Sequence, residues 1–219
     1  LLLTSMLSSA FIIQPVKAAG GTIYIRADGS VDPSTAPILN VGNVYYTFTS
    51  DIYDSIVVQR SNIIVDGAGY TLQGPGFIGE GKTGITLVYV SNVTVKRINI
   101  REFHDAITLM YSSKNTIYKS NITNNGNGFW LYNAKNNIIS ENNILNNFNY
   151  GFWLEWSSSN NIISQNNIAH SDTGIYPYQS SSNTINGNNI TNNGYRGIDL
   201  YDSSYNIISE NNIYHDFFN

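Results

Sequence analysis

The sequence contains no cysteine, so disulfides and thiolate metal sites are excluded and thiol usage marks no redox compartment. Charge is scarce as well: Lys and Arg number 11 and Asp and Glu 15, for a net charge of −4. Phosphate binding needs a clustered surplus of cations, which argues against nucleic acid and anionic membrane as partners. Three histidines and two methionines leave few metal ligands beyond oxygen. Beyond the first nineteen residues no run is apolar for long enough to span a membrane. What is abundant is asparagine, at 32 residues of which 27 lie at or after Asn115, together with 16 tyrosines.

Leu1–Ala19 reads as the apolar part of a secretory signal, with Phe11, Ile12 and Ile13 closing the run and Val16-Lys17-Ala18 as a small-residue cleavage site. Export follows, to the cell surface or medium, or to the periplasm of a cell with two membranes. The segment lacks an initiator Met and a basic start, which predicts a longer natural N-terminus.

Three short signatures recur in fixed order. An Asn followed by aliphatic or β-branched residues stands at Asn62, Asn92, Asn115, Asn137, Asn161, Asn183 and Asn206. Asn-Ile recurs at Asn99, Asn121, Asn143, Asn167, Asn189 and Asn212. A small residue followed by apolar, any, apolar begins at Gly84, Ala106, Gly128, Gly151, Gly174 and Gly197. All three advance in steps of 22 to 24 residues, the first signature after an opening interval of 30, so each period carries three strand-like pieces. Leucine-rich repeats share this period. They need a Leu framework and a helical return, whereas these returns are rich in Asn, a poor helix former, and the apolar positions are mostly Ile, Phe and Val.

Strand alternation in Gly128-Phe129-Trp130-Leu131-Tyr132 sends Phe129 and Leu131 to one face and Trp130 and Tyr132 to the other. Phe152 and Leu154, Ile175 and Pro177, and Ile198 and Leu200 repeat the first pair. Stacked at the strand spacing of ~4.8 Å, they predict apolar columns inside a cylinder. Asn suits left-handed corners and can hydrogen-bond up a stack of identical turns. The fold predicted is all-β: a right-handed, single-stranded parallel β-helix with three strands per coil.

The pattern N-N-I-I-S-x-N-N-I followed by G-[IF]-x-L, at 136–154 and again at 160–177 with Pro177 for Leu, resembles the NosD-like repeats of the pectate-lyase-like superfamily. The opening segment Gly21–Ser30, with Asn62–Tyr70, is similar to archaeal surface proteins of this type, particularly those of methanogens. The resemblance implies a fold that hosts lyases, hydrolases, epimerases and plain surface proteins. It also brings an association with periplasmic copper-site maturation, to which three His, two Met and no Cys give no support. Residues 20–60 are then an N-terminal cap, with Thr22–Ile25, Tyr45–Thr49 and Ile56–Val58 as capping strands, and 61–219 the helix. The long first interval predicts an insertion around Gly74–Lys82. The repeat stops mid-coil at Asn219, which predicts a continuation of the natural chain.

The outward positions of the third strand carry the main candidates. One column reads Thr86, Thr108, Trp130, Trp153, Tyr176, Asp199; two residues on, another reads Val88, Met110, Tyr132, Glu155, Tyr178, Tyr201. Exposed aromatics beside polar groups suit a polysaccharide or other glycan, or an envelope component, with Trp130, Tyr132, Trp153, Tyr176, Tyr178 and Tyr201 as the contact residues. The same rings also suit a self-packing ladder that steadies the sheet. Glu155 and Asp199 share this face two coils apart, their backbones about 10 Å from one another, a loose fit to an acid–base pair that inverts a glycosidic centre. Asp202 stands nearby in the following column.

Arg101-Glu102-Phe103-His104-Asp105 crowds a base, an acid and a His, as a uronate lyase or epimerase would need, yet it falls in a turn. The Asp-Pro-His signature of mannuronan epimerases is absent. His170 and His215 share a column two coils apart, too far for one metal, and His104 lies elsewhere. Calcium would need a carboxylate cluster, and none is visible. Sequons at Asn92, Asn121 and Asn189 coincide with the repeat.

Overall fold

A computed structural model describes residues 21–76, 81–214 and 216. Among these residues the chain is all β, wound into a right-handed parallel β-helix of about seven turns with three sheets. Leu1–Ala19, His215 and the tip of the 74–82 segment lie outside the described residues. The first strands of successive coils form sheet 1: Ile63–Asp66, Val93–Lys96, Thr116–Tyr118, Ile138–Ser140, Ile162–Ser164, Thr184–Asn186 and Ile207–Ser209. The second strands form sheet 2, from Thr71–Gln73 through Asn121–Thr123 and Asn143–Leu145 to Asn212–Tyr214. The third strands form sheet 3: Thr83–Val88, Asp105–Met110, Asn127–Tyr132, Tyr150–Glu155, Thr173–Tyr178 and Arg196–Ile198. Nine residues, 74–82, separate the second strand from the third in the first coil, where later coils use three or four.

Toward the N-terminus the sheets continue as Thr22–Ile25 and Ser55–Val58 on sheet 3 and Tyr45–Phe48 on sheet 1, all parallel to the coils. Val31–Asp32 and Ile38–Val41 then pair antiparallel and close those two edges. The expected capping strands are therefore rungs of the cylinder, and two short hairpin partners do the closing.

The interior is four apolar columns. On sheet 1 Val65, Val95, Ile117, Ile139, Ile163 and Ile185 align. On sheet 2 the column is Leu72, Ile100, Ile122, Ile144, Ile168 and Ile190. Sheet 3 contributes Ile107, Phe129, Phe152 and Ile175 in one line, with Leu109, Leu131, Leu154 and Pro177 beside it. All of these are buried, and Phe129 stacks on Phe152 at 4.7 Å and 5°. At the corner where sheet 2 turns into sheet 3 the glycine column is needed for space, since a Cβ on Gly151 would lie 2.5 Å from the Gly174 carbonyl oxygen. Ile198 continues the first line half-buried, but Leu200, expected inside, is exposed because no described residue covers the last coil.

Asn does two jobs, and they fall to neighbouring residues. The left-handed corners of one coil are Asn136, Glu141, Asn146 and Trp156, at φ 57°, 57°, 56° and 50°. Such backbone costs an L-residue about 1–2 kcal/mol. The repeated Asn that follows three of these corners, Asn137, Asn142 and Asn147, turns inward and is buried. Its amide joins a ladder: Asn137 N and Nδ2 both donate to Asn161 Oδ1 at 3.0 Å, and Asn161 does the same to Asn183 at 2.9 and 3.0 Å. Asn142, Asn166 and Asn188 form a parallel ladder at the second corner. At the third, Asn125 bonds Asn147, and Asn193 bonds Asp216. These bonds replace the backbone partners that the corners remove from the sheets.

Candidate functional site

Sheet 3 differs from the other two on its outer face. Sheet 1 presents Thr116, Ile138 and Ile162 in one outward row and Lys96, Tyr118, Ser140 and Ser164 in the next, and sheet 2 presents an exposed ladder in which Asn121 Nδ2 donates to Asn99 Oδ1 at 2.7 Å and Asn143 Nδ2 to Asn121 Oδ1 at 2.9 Å. The sequon residue Asn189 is tied the same way to Asn167, and Asn92 to Asn62. The register of sheet 3 sets Thr108, Trp130, Trp153 and Tyr176 in one outward row and Met110, Tyr132, Glu155 and Tyr178 in the next. Tyr178 also bridges Tyr201. The structure thus brings together all six aromatic residues expected from the sequence.

It adds Tyr150, which occupies the first outward position of its strand, and the corner residues Tyr89, Tyr111 and Trp156. Tyr150 was legible as an aromatic at the start of the same strand; the corner residues carried no signal beyond following it.

The rings stand on edge. Tyr89 and Tyr111 stack at 5.0 Å and 5°, Trp130 and Trp153 at 5.5 Å and 19°, Tyr150 and Tyr176 at 5.2 Å and 12°, and Tyr178 and Tyr201 at 5.2 Å and 17°. Nearly parallel rings this close overlap face on face, so they present their edges to solvent. T-shaped contacts of Tyr132 with Tyr111 at 5.5 Å and with Trp130 at 6.0 Å, and a tilted Tyr150–Trp153 pair at 5.7 Å, link the stacks into one run from Tyr89 to Tyr178 and on to Tyr201 through a tilted Tyr176–Tyr178 pair.

The two carboxylates proposed for catalysis are both engaged. Glu155 Oε2 accepts Trp130 Nε1–H at 3.0 Å and its Oε1 accepts Trp156 Nε1–H at 3.1 Å. Asp199 accepts Arg196. The two acids stand two coils apart in different rows, since Glu155 aligns with Tyr178 and Ile198, just before Asp199, aligns with Ile175. Burial first, and then the negative charges of Asp172 and Asp199, hold the Tyr150 hydroxyl above its ordinary pKa; burial and the neighbouring Tyr150 and Asp199 do the same for Tyr176. Two polar atoms on this face, Thr108 Oγ1 and Trp153 Nε1, are buried without a hydrogen-bond partner.

One coil breaks the repeat. A small residue stands two positions after Tyr132, Tyr178 and Tyr201, at Ala134, Ser180 and Ser203, but three after Glu155, at Ser158. The additional residue is accommodated at Trp156 and Ser157, both left-handed at φ 50° and 61°. Ser157 N takes over the ladder bond to Gln179 O at 2.9 Å, and Trp156 is pushed outward to 53% exposure.

The Arg101–Asp105 group is dispersed into structural contacts. Arg101 donates to Gln73 Oε1 at 2.9 Å, Gln73 to Glu102 Oε2 at 2.8 Å, and Phe103 is buried. His104 Nδ1 lies 3.1 Å from Asp105 Oδ2, whose other oxygen accepts Asn127 Nδ2–H at 2.7 Å.

Among solved structures the chain is similar to the DFA-IIIase of Arthrobacter chlorophenolicus A6 without its lid, at 18% identity and a TM-score of 0.56, over 76% of this chain and 42% of that one. It is similar also to the periplasmic alginate epimerase AlgG, at 15% identity and TM-score 0.54, over 77% of this chain and 49% of that one. A third is the enzymatically active domain of tailspike protein 2 of bacteriophage CBA120, at 14% identity and TM-score 0.50, over 75% of this chain and 34% of that one. At these identities the likeness is one of fold, and the chain spans less than half of each. No curated protein matches it. A family model described as "Periplasmic copper-binding protein (NosD)" matches residues 47–218.

The donor set does not fit copper: among the described residues no three His, Cys, Asp or Glu side chains gather, and His104 is matched only to Asp105. A location outside the cytoplasm agrees with the family description. Since that match runs over more than three quarters of the sequence, the chain belongs to the NosD family.

Proposed function

We propose that this protein is an exported, non-catalytic β-helix that binds polysaccharide along the outer face of sheet 3. The observation that carries the reading is the run of aromatic rings from Tyr89 to Tyr201 on that face, which no other face shows among the described residues, half-exposed and edged by carboxylates. Edge-on rings make a ridged apolar track, and the hydroxyls of Tyr132, Tyr176 and Tyr178 with the free sides of Glu155 and Asp199 offer hydrogen bonds to sugar hydroxyls.

A second reading, a carbohydrate-active enzyme on the same face, draws on the enzymes that share the fold, an alginate epimerase among them. The engagement of Glu155 by two indoles and of Asp199 by Arg196 favours ring positioning over proton transfer.

A glycan array on residues 20–219, paired with reducing-sugar and unsaturated-uronate assays, separates the two readings. Binding without turnover, lost in Trp130→Ala or Trp153→Ala, supports the first. Turnover abolished by Glu155→Ala or Asp199→Ala, with binding retained, establishes the second. An array with no bound glycan overturns both.

A further inference from the structure

On the reading that sheet 3 binds a glycan, we infer that the ligand is a neutral polysaccharide and that one of its sugar rings seats on Trp156. Most other rings of the strip stack a face on a neighbour, Tyr89 on Tyr111, Trp130 on Trp153, Tyr150 on Tyr176 and Tyr178 on Tyr201, and Tyr132 meets two of them at right angles. Trp156 does not. It stands at the corner where this coil takes up its additional residue, is 53% exposed, and has no ring neighbour among the described residues. The equivalent corners of other coils hold Tyr89, Tyr111, Asn133, Gln179 and Asp202, so the turn accepts polar and aromatic side chains alike and does not itself require a ring. The bond from Trp156 Nε1 to Glu155 Oε1 holds the indole in one orientation, and a large apolar face held rigid in water is what the C–H face of a pyranose packs against.

The charge around this corner selects the ligand. Glu155, Asp199 and Asp202 lie on the face or its corner, and Asp172 lies in the turn that leads into it. The arginine among them, Arg196, is paired with Asp199 and lies over the Tyr195 ring at 4.7 Å. A uronate or sulfated polymer would bring carboxylates or sulfates to carboxylates with no unpaired guanidinium to meet them, and like charges so placed oppose binding. A neutral sugar is attracted instead, since its hydroxyls donate to carboxylate oxygens in charge-assisted hydrogen bonds.

The test is calorimetric titration of residues 20–219 with cellohexaose, chitohexaose, laminarihexaose and mannohexaose against hexagalacturonate and hexamannuronate, at low and at physiological salt. At least one neutral hexasaccharide is expected to bind with an affinity that salt leaves unchanged. Trp156→Ala should weaken it about tenfold and Trp156→Phe much less, as for an exposed anchor residue. The urea midpoint of Trp156→Ala should match the wild type; should that variant fail to fold, protection of the wild-type indole from N-bromosuccinimide by the bound neutral sugar is the readout.

Tighter binding of either uronate than of every neutral sugar, or a bound neutral sugar that neither Trp156→Ala nor indole protection registers, overturns the inference and leaves the glycan-binding reading standing. Failure of all six sugars removes both.

Discussion

The inward corners and the outer face of sheet 3 are built from the same repeat and obey opposite rules. Inside, Asn137, Asn161 and Asn183 recur without change because each Oδ1 must accept the preceding coil's backbone N–H and side-chain amide at 2.9–3.0 Å. Outside, the row Thr108, Trp130, Trp153, Tyr176 changes size and chemistry from coil to coil while the backbone register stays constant. A solenoid's geometry therefore dictates its interior and leaves its surface open to selection for other purposes. Departures from periodicity on that surface, above all the residue inserted at 156–157, are the places to look for function.

The largest effect expected is in the core: Phe152→Ala empties a site stacked on Phe129 and should lower stability by about 3–5 kcal/mol, read as a fall in urea midpoint at unchanged slope. Asn161→Ala comes next, at about 2–4 kcal/mol, since it strands the buried Asn137 backbone and amide N–H groups. Should it prove as mild as a surface change, the inward corners are not what holds successive coils together. Trp153→Ala should cost about 1–2 kcal/mol through lost ring contacts, while binding to a glycan falls about tenfold. A stability loss with no binding loss would make the strip a ladder only. Asn143→Ala, on the exposed ladder of sheet 2, should cost less than about 0.5 kcal/mol.

Acid separates the two regions in another way. Asp66 is 3% exposed and paired with Arg97 and Lys96. Burial pushes its pKa up, but the Arg97 hydrogen bond and the other partners outweigh that and leave it below the ordinary carboxylate value. Folded Asp66 thus binds protons less readily than in the unfolded chain. Its stabilisation is complete above the unfolded pKa and is lost as pH falls below about 4 and through the folded value. The melting temperature should drop over that range, and Asp66→Asn should flatten the drop.

The coil was legible in the sequence because its interior is periodic: Phe129, Phe152, Ile175 and Ile198 fall in line where alternation and the 22-to-24-residue step put them. The outward aromatic rows were legible for the same reason. What alternation could not reveal is ring orientation, because direction along a strand says nothing of χ2. The stacked rings of those rows stand on edge. Nor could it divide labour among adjacent asparagines: Asn136 and Asn137 look alike in sequence, yet one supplies the left-handed corner and the other the buried ladder. Trp156 was hidden because an insertion is invisible in a period already known to vary by two residues.

The inward ladders also have a direction. In each, the later coil supplies the accepting Oδ1 and the earlier coil the donating N–H groups, from Asn115 to Asn137 and onward. A chain that grows from its N-terminus therefore always ends in a coil whose donors are still open, and the next coil to emerge closes them. Winding is a one-way zipper, in which every finished turn is the template for its successor and an interruption leaves a sticky rim facing forward.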